Sequence, residues 1–140
     1  MQHPKCILSP HQILPRVPLD SHHASDFSVY TGTAGISFLA LRSAILLQGD
    51  EQRSYLDIAR RYLKASQSAL EARLRRGHRD DVSFIMGGPG IYAQIAVVET
   101  LLGKQTAAAE AIERVLSYAH MLLKPDSTYP YEILYGTAGR

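Results

Sequence analysis

Three glycine pairs, each opening onto an apolar run, constrain this chain more than any other feature. "VYTGTAGI" (29–36) carries Gly32 and Gly35, "FIMGGPGIYA" carries Gly87 and Gly90, and "ILYGTAGR" carries Gly136 and Gly139. They recur at separations of 55 and 49 residues, so the motif is architecture before it is chemistry. Behind the first pair, "ISFLALRSAILL" (36–47) is apolar on nearly every side, and behind the second "IYAQIAVVETLL" (91–102) repeats that profile. A helix of this kind should be surrounded by protein.

Each apolar run is followed by a turn and an amphipathic segment. Gly49 and Asp50 end the first run and lead into residues 50–76, where Leu56, Ala59, Leu63, Leu70 and Leu74 share one face. Gly103 ends the second and leads into residues 104–124, where Ile112, Val115, Ala119 and Leu122 form one stripe. The unit is therefore a glycine pair, a buried helix, a short turn, an exposed helix and a connecting loop. The third pair opens at Gly136 and the sequence stops at Arg140, which reads as an ending in mid-repeat.

Helical hairpins of this kind hide their apolar faces only against neighbours, and terminal repeats normally carry a polar cap. None is visible here. The period exceeds the ~34 residues of tetratricopeptide and ~33 of ankyrin repeats, whose signatures are absent. A barrel of hairpins closes without a cap. The expected fold is all-α: an incomplete α/α toroid, the arc of a double-ring helical barrel, over residues 29–140. Residues 1–28, with Pro4, Pro10, Pro15 and Pro18, read as an irregular, poorly ordered lead-in.

With 140 residues, 46% apolar and 20% charged, the chain suits one soluble domain and is too apolar for disorder. The longest apolar runs are about a dozen residues, short of the ~20 of a membrane-spanning helix. The start lacks the continuous apolar core of a secretory signal. Cys6 is the single cysteine, which excludes an internal disulfide and a thiolate metal cage and fits a reducing, cytoplasmic setting. The net charge is +2, and the cluster "ARLRRGHR" (72–79) lacks interleaved aromatics, so it reads as a solvated helix end and no nucleic-acid partner is expected.

At a helix start the first N–H groups lack intrahelical partners and carry partial positive charge. Glycines there allow a ligand, or another stretch of backbone, to come close. In a ring these starts gather at the mouth of the central cavity, where they could hold an anion. The competing reading is that the glycines only make tight turns and close contacts. No Walker lysine or strand-based dinucleotide fingerprint accompanies them. His22 and His23 have no third ligand spaced to complete a metal site, and Asp80 and Asp81 read as helix-capping or solvated acids before they read as a general base. Tyr30, Tyr92 and Tyr135 flank the glycines as packing residues with hydroxyls near the cavity. No catalytic, cofactor-binding or metal residue is assigned; the glycine pairs are structural motifs.

The segments "VYTGTAGISFLAL" (29–41), "VSFIMGGPGIYAQIAVV" (82–98) and "YEILYGTAGR" (131–140) resemble, in order and spacing, the N-terminal part of LanC-like proteins, eukaryotic relatives of the bacterial lanthionine synthetase cyclases. The resemblance runs from about Asp26 to the end. It implies an α/α toroid, an inner ring of helices inside an outer one. It also implies thiol addition to dehydrated serine or threonine in a peptide, with zinc on two cysteines and a histidine activating the thiol of a peptide cysteine or of glutathione. Zinc suits this work because it stabilises thiolate at neutral pH. Those ligands belong to Cys-His-Gly and related segments of the family's second half, and no Cys-His-Gly occurs here. The second motif of eukaryotic relatives commonly reads Cys-Gly-Asp-Ala-Gly, whereas Met86, Gly88 and Pro89 stand at its Cys, Asp and Ala positions, and Thr137 stands where the third commonly has arginine.

The first functional reading is thus a fragment of a LanC-like peptide-modifying protein, catalytically silent alone, with peptide or glutathione as partners of a complete relative and peripheral contact with the plasma membrane left open. The alternative is a non-catalytic helical-repeat binding module. A third, another α/α-toroid enzyme such as a glycosidase relative, needs an acidic pair across a cavity that the sequence does not show.

Overall fold

A computed structural model describes residues 25–122. Among them the ordered elements are four α-helices: α1 (Thr33–Ile45), α2 (Gly49–Arg75), α3 (Gly88–Leu101) and α4 (Gln105–Leu122). All four were expected in this order. The two apolar helices start earlier than their apolar runs, inside the glycine pairs, because Gly32 and Gly87 are the N-caps. Proline at the first turn of α3 suits a position where no N–H is needed. Gly103, at φ 75°, stops α3 in a Schellman arrangement: its N–H donates to the Thr100 carbonyl and the Lys104 N–H to that of Glu99.

Helices α1 and α2 pack as one hairpin and α3 and α4 as another, and the hairpins meet through α3, which touches both α1 and α2. This is an arc of an α/α toroid, with α1 and α3 side by side. The long α2 buries Tyr55, Leu56, Ala59, Tyr62, Leu63, Ser66 and Leu70, one face over about four turns, while Leu74 at its last turn is 39% exposed. A fully buried leucine on that face contributes about 1.5–3 kcal/mol relative to an exposed one.

Two expectations about faces need correction. Helix α1 is covered on one side only: Thr33, Ala34, Ser37, Ala40, Leu41 and Ala44 are buried, whereas Phe38, Leu39 and Ile45 are exposed. On α4 the packed stripe is Ala108, Ala111, Val115 and Tyr118, and Ile112 and Ala119 face solvent. Both contacts are rich in small residues, which let the partner backbone come close, with Leu41 on α1 and Val115 and Tyr118 on α4 beside them. The side chain of Leu122 lies outside the described residues. Of the lead-in expected over 1–28, residues 25–28 belong to the packed structure, with Phe27 and Ser28 buried; the rest lies outside the described residues.

Candidate functional site

The sequence points to the starts of α1 and α3, and the structure brings these two starts together. The Ile85 carbonyl, in the loop before α3, accepts the N–H of Val29 at 2.9 Å and of Tyr30 at 3.3 Å from the loop before α1. Phe38 of α1 meets Phe84 edge-to-face at 6.3 Å between centroids. Each loop is built the same way. Ser28 Oγ accepts the Thr31 N–H at 3.2 Å and its carbonyl accepts that of Gly32 at 3.2 Å. Ser83 repeats both bonds with Met86 and Gly87, each at 3.1 Å.

The glycines are explained by these loops. A Cβ at Gly32, Gly35, Gly87 or Gly90 would fall within 3.0 Å of the carbonyl oxygen of the residue six positions earlier: Asp26, Val29, Asp81 and Phe84 respectively. The backbone of the incoming loop lies against the first helical turn, and only a residue without a side chain leaves room. Backbone angles are not the reason, since the N-cap glycines are at φ −102° and −112°, open to any residue. Of the two readings of the pairs, the described ones serve close backbone contact. Gly136 and Gly139 lie outside the described residues.

Two carboxylates secure the helix starts by different routes. Asp26 accepts the Ser28 N–H at 2.9 Å and the Thr31 hydroxyl at 2.6 Å, and its carbonyl takes the Thr33 N–H at 2.9 Å. Burial acts to raise this carboxyl, but the bonds from Thr31 and Ser28 together hold it below the ordinary carboxylate value. The Thr33 hydroxyl also pairs with Ser66 at 2.6 Å, tying the start of α1 to α2.

Asp80 is 8% exposed and accepts the Gly88 N–H at 3.2 Å and the hydroxyl of Tyr118 on α4. Here burial wins over the hydrogen bonds and pushes the carboxyl above its ordinary value. Burial and the Asp80 bond likewise raise Tyr118, which stays protonated as the donor. A Cβ on Gly88 would strike the Tyr118 hydroxyl and Asp80 Oδ2. The carboxylate at this helix start therefore comes from residue 80, and the space of a side chain at 88 is already filled. The departure of Gly88 from the aspartate of the resembling motif thus has a steric counterpart.

The other candidates divide. Asp80 caps α3 as expected, and the half-buried Asp81 contributes the carbonyl packed on Gly87. Tyr92 is buried against Tyr118, with centroids 6.4 Å apart, whereas Tyr30 is 66% exposed and is not a packing residue, since its loop turns it outward. Tyr135, Thr137, His22, His23 and Cys6 lie outside the described residues. Ser28, Ser83, Asp26 and Tyr118 were missed. The first three had a signal: Asp26 and Ser28 recur as Asp81 and Ser83 at the same 55-residue offset as the glycines. Among the described residues no helix is long and apolar enough to cross a membrane.

The sequence model of a known family, lanthionine synthetase C-like protein, matches residues 23–140.

Proposed function

The chain belongs to the lanthionine synthetase C-like family, and from that premise we propose that it builds part of the wall of a peptide-modifying helical ring, with its glycine loops at the rim past which a peptide reaches the thiol-addition centre. The observation that supports this reading is the Ile85 carbonyl bridge, which holds the starts of two neighbouring inner helices side by side.

The chemistry of the ring, on this reading, is addition of a thiol to a dehydrated serine or threonine, and bound zinc supplies an activated thiolate for it. The described residues do not fit that metal. They contain no cysteine and no group of three His, Cys, Asp or Glu placed to hold an ion. No step through zinc is therefore assigned to this arc. Its own work is to fix the loop backbone against the helix starts and to keep Asp80 and Tyr118 joined behind α3.

The test uses the full chain with a dehydroalanine peptide carrying a photo-crosslinker. Crosslinks on residues 26–32 and 81–88, without stoichiometric zinc or glutathione adduct, are the expected result. Adduct formation by this chain alone, or crosslinks that avoid both loops, refutes the proposal. The exposed Phe38, Leu39, Ile45 and Leu46 on and just after α1 suit a wall flanked by neighbours and equally a non-catalytic binding module. A sharp, monomeric thermal transition would support that module over a wall that needs neighbours.

A further inference from the structure

A groove runs between α2 and α4, with α3 as its floor. It has two adjoining lobes, of about 490 and 290 Å³, which share Gln67, Ile95 and Glu99 as lining. Ile95 supplies an apolar patch in the middle. Glu99, on α3, is 6% exposed, and its charge is already met: Arg60 Nε lies 2.6 Å from Oε1 and Lys104 Nζ 4.0 Å from Oε2. That second oxygen has no hydrogen-bond donor in reach, but it is itself buried away from the groove, so Glu99 presents no unmet charge to it.

The rest of the charge is lopsided. Asp57, at one end, is held by Arg53 at 3.8 Å. Arg61 stacks over Tyr62 but makes no ion pair, and neither do Lys64 on α2 and Arg114 on α4 among the described residues. Against these three cations stands Glu110 alone. Lys64 lines one lobe and Arg114 the other, so positive charge sits on both walls with the apolar patch between them.

We infer that this groove binds a short acidic peptide segment. Two carboxylate side chains would reach Lys64 and Arg114, and an apolar residue between them would cover Ile95. The α2 lining spans residues 57–67, about 15 Å at ~1.5 Å per residue, which matches four to five residues of extended peptide at ~3.3 Å each. A concave floor suits a chain rather than a flat anionic surface. The inference does not depend on the proposed function, because none of the groove's lining residues belongs to the glycine loops.

Fluorescence anisotropy of the full chain with fluorescein-labelled Glu-Leu-Glu-Leu-Glu decides it. Saturable binding at low salt that weakens with added salt is expected. The Lys64→Glu/Arg114→Glu double variant should weaken it about tenfold or more, and Lys64→Gln/Arg114→Gln by a smaller factor, with circular dichroism reporting whether each variant stays folded. Three results overturn it: equal binding of Lys-Leu-Lys-Leu-Lys, unchanged binding by folded variants, or complete competition by inorganic phosphate at the peptide's own concentration, which would mark a simple ion site. Sedimentation with phosphatidylserine vesicles that depends on the same two cations while the peptide does not bind also overturns it in favour of a membrane surface.

Discussion

Replacing Gly90 by alanine separates the close-contact role of the glycine pairs from a ligand role. Gly90 lies in the first turn of α3, where alanine is intrinsically the better residue by about 1 kcal/mol, part of it through the unfolded chain. Helix propensity alone thus predicts a stabilised variant. The structure predicts the reverse. The new Cβ would meet the Phe84 carbonyl oxygen and carbon and, at 2.9 Å, Val29 Cγ2. Neither carbonyl atom can rotate away, because the next carbonyl along, Ile85, is fixed by Val29 and Tyr30, and Ser83 is fixed by Gly87. Forcing an extra carbon into packed structure costs about 1–3 kcal/mol. If the loop moves instead, it loses inter-loop bonds at about 0.5–1.5 kcal/mol each. A Cβ driven this far into fixed backbone falls in the upper part of that range, about 2–3 kcal/mol, so after the propensity gain the net loss is about 1–2 kcal/mol. For a chain of 140 residues 1 kcal/mol shifts the melting temperature by about 3–4 °C. Circular dichroism at the helical band, on the full chain with and without the substitution, should therefore show a drop of about 3–8 °C. A variant as stable as the parent, or more stable, would refute the close-contact account and return the glycines to a ligand.

Three further outcomes follow from the same contacts. The Asp80 carboxyl sits above its ordinary value of 3.8, so the folded chain holds that proton more tightly than the unfolded one. Its stabilising contribution is complete below 3.8 and is lost as pH rises through the folded value. Urea midpoints measured upward from pH 4 should accordingly fall less steeply for Asp80→Asn than for the parent; parallel curves would exclude a titrating Asp80. Asp26 runs the other way, its contribution present above 3.8 and lost on acidification, so Asp26→Asn should blunt acid unfolding below pH 4. Arg60→Ala strips the nearest cation from the buried Glu99 and should cost about 1–3 kcal/mol, discounted for the exposure of Arg60, whereas Arg53→Ala, from an exposed pair, should stay within about 0.5 kcal/mol; equal losses in chemical denaturation would contradict this ranking.

Much of the helical framework is legible in the sequence because its signals are local. The glycine pairs, the apolar runs behind them and the amphipathic α2 each declare themselves within a few turns, and the structure places all four helices where these signals put them. The helix starts moved inward by three residues because an apolar pattern registers only where side chains are large, and the first turns of α1 and α3 are built from Thr33, Ala34 and Gly35, and from Gly88, Pro89 and Gly90. Asp80 to Tyr118 was beyond reach for a different reason. Nothing in either residue's neighbourhood signals a bond across 38 positions; it exists only once α4 has folded back along α3.

The errors in reading faces share a cause that bears on the function. Sequence patterning ranks residues by hydrophobicity, so it chose Ile112 over Ala108 on α4 and treated Phe38 and Leu39 as buried on α1. Where two helices touch through Ser37, Ala40 and Ala44, or through Ala108 and Ala111, much of the contact is made by residues that carry little apolar surface. Of the larger ones, Leu41, Val115 and Tyr118 join the contact and Phe38, Leu39, Ile45 and Ile112 stay exposed. On α1 they form a second apolar face of Phe38, Leu39 and Ile45, with Val97 and Leu101 exposed on α3 and Ile112 and Leu116 on α4. A helix in a single two-helix layer has no use for that second face, since leaving it in water forgoes about 25 cal/mol per Å² of apolar surface. A helix in the wall of a ring does, because it is flanked on both sides. The exposed Phe38, Leu39 and Ile45 of α1, beyond a covered face rich in small residues, are what the proposed wall element would show, and Leu39→Glu tests it. In an isolated hairpin pair the change is neutral or favourable to solubility. In a wall, it should abolish whatever association covers α1, seen as a loss of the larger species in analytical ultracentrifugation while the melting temperature of the remaining monomer stays put.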